Sequence, residues 1–271
     1  MPELKDATET TLADLLSLKG RAAVVTGGAQ GLGKAIARRF AEAGANVVIG
    51  DRNLEVAQQT AADLSVRYGA NVIAVLLDVA DEASVQSCAS TSAERFGSID
   101  IWVNNAGVFP ALPINYMTLQ DWENVFAVNA RGTFLGAQAA ALAMTDRGGV
   151  IINVASLAGI RGISPALSAY VSSKHAVVGL TRQLALELAP QRIRVLAIAP
   201  SFVVTEGNLA LMQGNEGVTE AAAQDIPSML QSKLGRVGVP DDIGRVALFA
   251  ASDMALFMTG TTLVVDAGES A

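Results

Sequence analysis

The chain has 271 residues, 51% of them hydrophobic and 17% charged, with a formal net charge of −7. That balance is far from the low-hydrophobicity, high-charge signature of disorder, and a chain of this length buries about three quarters of its unfolded surface. Acidity without a basic tract argues against nucleic-acid and anionic-membrane partners, and a single cysteine and a single histidine argue against an internal disulfide or a metal cluster.

Residues 1–18 read as an acidic N-terminal extension with one short helix through Leu12, Leu15 and Leu16. They lack the basic-then-apolar pattern of a leader, and no apolar run reaches the roughly 18 residues of a spanning helix. A soluble, cytoplasmic protein is expected, with one domain over 19–271.

A short apolar strand over 22–26 runs into Gly27-Gly28-Ala29-Gln30-Gly31-Leu32-Gly33 and then a helix over 34–43. Strand, glycine turn and helix N-terminus make a cradle for a pyrophosphate, because backbone N–H groups can approach it closely. The spacing is Gly-x-x-x-Gly-x-Gly, and a glycine turn of purely structural use is the alternative for this motif alone. A second strand over 46–50 ends in Asp51. A carboxylate there accepts hydrogen bonds from an adenosine ribose and repels a 2′-phosphate, which favours NAD over NADP. The neighbouring Arg52 partly offsets that repulsion.

A helix over 54–68, a strand over 72–77 ending in Asp78-Val79, a helix over 81–96 and a strand over 101–103 entering Asn104-Asn105-Ala106-Gly107 follow. The strand–helix alternation calls for a doubly wound parallel α/β sheet, about seven-stranded, with right-handed crossovers. Residues 119–143 read as one long helix carrying Asn129. Its small residues Gly132, Gly136, Ala137 and Ala140 are expected to admit a partner helix, forming an oligomer face with the helix after Ser168.

A strand over 150–155 leads to Ser156. Tyr170 and Lys174, four apart, share a helical face. A nearby cation favours the phenolate, and a fall of about 3 units from the ordinary value near 10 represents roughly 4 kcal/mol. Tyr170 would then serve general acid/base chemistry, with the Ser156 hydroxyl on a substrate oxygen. By itself the Tyr-x-x-x-Lys pair is a weak motif. A strand over 193–199 ends at Pro200-Ser201-Phe202-Val203-Val204-Thr205. The glycine-dotted stretch over 200–235, with helical pieces at 209–212 and 220–231, is expected to form a substrate lid. A helix over 240–251 and a strand over 261–265 complete the pattern.

From Lys19 to Gly268 the chain resembles the short-chain dehydrogenase/reductase family. The ordered signatures are Thr26 to Gly33, Asp78-Val79, Asn104 to Gly107, Ser156 with Tyr170 and Lys174, and Pro200 to Thr205. The resemblance implies a single Rossmann domain and a homotetramer or homodimer built through the two long helices. It implies Tyr170 as catalytic acid/base, Lys174 on the nicotinamide ribose while lowering the phenol's pKa, Ser156 on the substrate oxygen and Asn129 anchoring a relay water. For the cofactor it implies the glycine turn of Gly27, Gln30, Gly31, Leu32 and Gly33, the ribose ligand Asp51 with Arg52 beside it, and Asp78 and Val79 at the adenine. Asn105, Ala106 and Gly107 form a cofactor-side turn, and Pro200, Val203 and Thr205 lie at the carboxamide. Three departures stand out. The loop between Ser156 and Tyr170 is one residue longer than usual, Ser201 replaces a glycine, and Leu196 stands where asparagine is frequent.

The apolar candidates Val108, Phe109, Leu112, Leu157, Ile163, Leu167, Phe202, Leu211 and Met212, with Arg161 as the nearby charge, favour a hydrophobic secondary alcohol or its ketone as substrate. An NADPH-linked 3-oxoacyl carrier-protein ketoreductase is the alternative. The acidic balance and the lone Arg147 beside Asp146 oppose it. A non-catalytic dinucleotide-binding sensor is a third reading, because a Rossmann fold alone does not establish activity. The complete Asn129, Ser156, Tyr170 and Lys174 set opposes that one.

Overall fold

Seven short runs rich in Val, Ile and Ala form the strands of one sheet: β1 (Ala22–Thr26), β2 (Asn46–Asp51), β3 (Val72–Leu76), β4 (Ile101–Asn104), β5 (Gly149–Val154), β6 (Ile193–Pro200) and β7 (Thr262–Val265). The computed structural model describes residues 6–206 and 232–271. The helical pieces expected at 209–212 and 220–231, with Leu211 and Met212, lie outside the described residues. Every strand pairing is parallel, in the order β3-β2-β1-β4-β5-β6-β7. The inner parallel strands, covered on both faces, bury nearly every side chain, whereas the edge strands β3 and β7 are partly open, which explains why the inner runs are continuously apolar rather than alternating. The chain order reverses between β1 and β4, and in such sheets the ligand crevice opens there, at the carboxyl ends of the strands.

The helices are α1 (Leu12–Leu16), α2 (Gly31–Glu42), α3 (Leu54–Tyr68), α4 (Glu82–Phe96), α5 (Leu119–Phe126), α6 (Gly132–Met144), α7 (Ser168–Leu188) and α8 (Pro240–Ala251). On one face of the sheet Ile36 and Phe40 of α2 and Ile243 and Ala247 of α8 pack against Val47, Ile49 and Ile198. On the other, Cys88 of α4 and Ala140 and Met144 of α6 pack against Val48, Trp102 and Ile151. Helix boundaries follow local chemistry. The Asn53 and Asp81 side chains accept first-turn N–H bonds from α3 and α4, and both helices stop at a left-handed glycine, Gly69 and Gly97.

The long helix expected over 119–143 is broken. Residues Ala127–Arg131 form a π turn between α5 and α6. Such single wide turns are frequent at functional sites. Here the turn carries Asn129 wholly into the interior, its own carbonyl accepting from Thr133 Oγ1 at 2.7 Å. The small residues of α6 also serve another purpose than expected, since their close approach is to the chain's own core. A Cβ on Gly132 would lie 2.9 Å from Val79 Cγ2, and one on Gly136 only 2.1 Å from Asn104 Oδ1.

Gly136 makes room for a buried polar relay. Trp102 Nε1 donates to Asn104 Oδ1 (2.8 Å), Asn104 Nδ2 to Asn153 Oδ1 (2.9 Å), Asn153 Nδ2 to Thr181 Oγ1 (2.9 Å), and Thr181 Oγ1 to the Val177 carbonyl (2.8 Å). It links β4, β5 and α7 below the crevice. No described helix is long and apolar enough to cross a membrane.

Candidate active site

The glycine turn after β1 is tight. Gly27 has φ 62°, and a Cβ on Gly33 would sit 2.1 Å from the Gly27 carbonyl oxygen, so only glycine lets α2 start against the turn. Gln30 stands at the N-cap with an extended backbone and no side-chain cap bond, while Leu32 packs toward the core. The uncapped helix start leaves N–H groups facing the crevice, a natural seat for an anion. Gly31 N–H donates to the Glu206 carboxylate at 3.2 Å. Thr205 lies beside the same glycine, 3.5 Å from a Cβ built on Gly31.

Asn105 and Ala106 brace this turn from β4. Asn105 Nδ2 donates to the Thr26 and Gly27 carbonyls at 2.9 and 3.0 Å, and the N–H groups of Asn105 and Ala106 donate to Thr26 Oγ1 at 3.0 and 3.1 Å. Thr26 was not among the expected site residues, although a hydroxyl ending an apolar strand just before a glycine turn is a readable signal. Asp51 ends β2, its carboxylate accepting from the N–H groups of Ala29 at 3.1 Å and Asn53 at 3.0 Å. It is thereby fixed beside the glycine turn, with Arg52 exposed next to it. Asp78 accepts from Ala80 N–H at 2.9 Å, and Val79 is buried against α6. At the far side of the crevice Pro200 ends β6, and Val203 is buried and bridged to Gly238. Ser201, standing where the family has glycine, keeps an ordinary backbone. Its N–H donates to the Val265 carbonyl at 3.2 Å, and the described non-glycine residues with positive φ are Ala166, Arg192 and Ala267, so this position has no need of glycine.

The reactive groups converge at the end of β5. Ser156 leaves the strand with an extended backbone, its hydroxyl accepting from the Ala158 N–H at 3.1 Å and lying near enough to the Tyr170 phenol to favour its charged form. One turn along α7, Lys174 is buried and donates from Nζ to the Val154 carbonyl at 2.8 Å. Gly107 closes the cluster, because a Cβ there would lie 3.3 Å from Asn129 Oδ1 and 3.6 Å from Lys174 Nζ. The Phe109 ring meets the Tyr170 ring edge-on, with centroids 6.1 Å apart.

One expectation fails in its cause. Burial pushes the Tyr170 phenol above its ordinary value, with Ser156 working against the rise. Lys174 Nζ is tied to Val154 and lies 5.8 Å from the ring centroid, and burial lowers the lysine itself to about 8. Desolvation disfavours the charged form of each, so both are held closer to neutrality than in water. The pocket list also changes. Leu157 is 1% exposed, whereas Phe109, beside the Tyr170 ring, and Ile163 are 39% and 36% exposed. The charge of Arg161 is engaged by Glu269 at 3.2 Å.

A glycine cradle that a Cβ would fill, an uncapped helix start and a fixed carboxylate at the end of β2 suit a dinucleotide. The family model described as Enoyl-(Acyl carrier protein) reductase matches residues 27–270. D-threitol dehydrogenase of Mycolicibacterium smegmatis is 41% identical over 252 residues, covering 93% of each chain. Sorbitol dehydrogenase of Cereibacter sphaeroides is 38% identical over 264 residues, covering 93% of this chain and 98% of its own. Among solved structures, a short-chain type dehydrogenase/reductase from Mycobacterium marinum superposes with a TM-score of 0.86 at 35% identity, over 95% of this chain and 98% of that one. Sequence relatives and backbone geometry agree along nearly the whole chain, which therefore belongs to the short-chain dehydrogenase/reductase family of oxidoreductases that bind a nicotinamide dinucleotide.

Proposed function

We propose that this protein is an NAD(H)-dependent oxidoreductase that interconverts a hydrophobic secondary alcohol and its ketone. The convergence of Tyr170, Ser156 and Lys174 at the end of β5 carries the reading. The bound cofactor supplies the hydride acceptor or donor. Ser156 and Tyr170 hold the substrate oxygen, and the phenol exchanges a proton with it as the carbon changes oxidation state. Because burial keeps the phenol neutral, Tyr170 is ready to donate to a ketone, while alcohol oxidation requires its proton to leave first. Oxidation should therefore speed up, and reduction slow down, as pH rises toward the phenol's pKa.

Asp51, fixed at the end of β2 by two backbone N–H groups, supports NAD over NADP, since a 2′-phosphate beside that carboxylate meets like charge. The half-exposed residues Phe109 and Ile163 support an apolar substrate. A polyol is the second reading, favoured by the two relatives named for D-threitol and sorbitol. The outward Phe134 and Leu142 of α6 support a homo-oligomer, tetrameric or dimeric.

The test is the initial rate of nicotinamide reduction over a panel of hydrophobic secondary alcohols and polyols, with NAD and NADP side by side. Turnover with NAD that Tyr170→Phe abolishes while NADH still binds is the expected result. Substantial turnover by Tyr170→Phe would refute the assignment of the acid/base, and turnover with NADP alone would refute the reading of Asp51.

A further inference from the structure

Ser173, which no expectation singled out, is 0% exposed and sits between two residues of the site. Its Oγ lies 2.8 Å from the Tyr170 carbonyl oxygen and 3.0 Å from Asn129 Nδ2. A carbonyl oxygen can only accept, so the single hydroxyl proton goes to Tyr170, and what Ser173 offers Asn129 is a lone pair. The two Val108 bonds decide which way the Asn129 amide faces, and Ser173 accepts its remaining N–H. Its NH2 group points to Ser173 and to the Val108 carbonyl at 2.8 Å, leaving Oδ1 to accept from the Val108 N–H, also at 2.8 Å. Val108 is thus gripped at both its backbone groups. The next residue is Phe109, whose ring returns to Tyr170 edge-on. The contacts form a closed circuit from the Tyr170 backbone through Ser173, Asn129, Val108 and Phe109 to the Tyr170 ring.

We propose that Ser173 is a positioning residue for the reaction. By accepting the second N–H of the Asn129 amide, it holds that side chain in place and so sets the Val108–Phe109 segment that aligns the Tyr170 ring with the substrate oxygen. The inference rests on the proposed role of Tyr170. Ser173 touches neither substrate nor cofactor and acts only through Asn129. Without its lone pair one buried Asn129 N–H loses its partner, the side chain is free to shift, and its grip on Val108 loosens. The circuit adjoins the cofactor-side turn at Gly107 but lies away from the glycine cradle and Asp51, so NADH affinity should respond far less than turnover.

The experiment compares the parent with Ser173→Ala, Ser173→Thr, Phe109→Leu and the Ser173→Ala/Phe109→Leu double variant on the best alcohol, with NADH binding measured by fluorescence. Ser173→Ala should lower kcat about ten-fold while the NADH dissociation constant stays within about two-fold. Threonine keeps a hydroxyl able to reach the carbonyl one turn back, so Ser173→Thr should recover most of the loss. Since Ser173 acts through Phe109, the double variant should be no slower than the worse single one. Any one of three results overturns the proposal: an unchanged kcat in Ser173→Ala, a parallel loss of NADH affinity, or multiplicative effects in the double variant. Absence of alcohol turnover in the parent would instead bring down the functional reading, and the proposal with it.

Discussion

Replacing Gly33 with alanine tests the cradle most directly. The new Cβ would meet the Gly27 carbonyl oxygen at 2.1 Å and Asn105 Nδ2 at 2.6 Å, both well inside ordinary contact. Restoring a contact of about 3.4 Å means moving the start of α2 or the Gly27 turn by over 1 Å. Overpacking of this kind costs about 1–3 kcal/mol, and disturbing the two bonds from Asn105 Nδ2 to Thr26 and Gly27 adds about 1 kcal/mol each. A loss of roughly 3–5 kcal/mol lowers the melting temperature by about 6–20 °C in a chain of this size. The same movement should weaken NADH binding by at least about ten-fold. Gly162→Ala is the control, since nothing lies within 4 Å of a Cβ there and its φ is not in the left-handed range. Differential scanning fluorimetry and NADH titration read the two effects together. If Gly33→Ala melted and bound NADH as Gly162→Ala does, the close approach of turn and helix would be wrong.

Two further substitutions probe charge in the site. Glu206→Gln removes the carboxylate that accepts from Gly31 N–H at the start of α2. NADH should then bind about two- to five-fold more tightly, because an anion at a helix N-terminus contributes about 0.3–1 kcal/mol and Glu206 would compete for that place. Unchanged or weaker binding at low salt would count against such competition. Lys174→Met tests the buried ammonium through pH. Burial lowers Lys174 from the ordinary 10.5 to about 8, so the unfolded chain binds more protons between those values and the parent gains stability as pH rises through that window. The variant lacks this gain. Its stability relative to the parent should fall by about 3 kcal/mol from pH 8 to 10.5 in urea unfolding, and a constant difference would mean that Lys174 is not desolvated as described.

Much of the architecture was legible because parallel strands and their crossover helices leave strong local marks. The apolar run at Ala22–Thr26, the Asn53 and Asp81 caps and the stops at Gly69 and Gly97 each declare themselves within a few residues. Chemistry four apart on a helix was equally readable, so Tyr170 and Lys174 fall on one face near Ser156. What escaped depends on partners distant in sequence. The π turn at Ala127–Arg131 accompanies Asn129 reaching Val108 and Ser173, contacts invisible in a local pattern of helix formers. The state of the phenol escaped for a similar reason. The sequence placed a cation nearby, but the depth of burial and the Val154 carbonyl that receives Nζ belong to the folded sheet.

The relay from Trp102 to Thr181 has a consequence for how the sheet finds its alignment. β4 and β5 are nearly all apolar, and sliding one along the other by two residues would keep every side chain on its own face at little hydrophobic cost. Burial alone is therefore a poor judge of alignment at the centre of this sheet. Only the native offset sets Asn104 opposite Asn153 and lets both amides find partners. Any slip would strand several buried amide and indole groups, at about 1–3 kcal/mol each. The relay thus works as a vernier, setting the heights of Asn104 and Ser156, and through Thr181 that of α7, relative to one another. The convergence of Ser156, Tyr170 and Lys174 depends on a mark cut into the sheet below them.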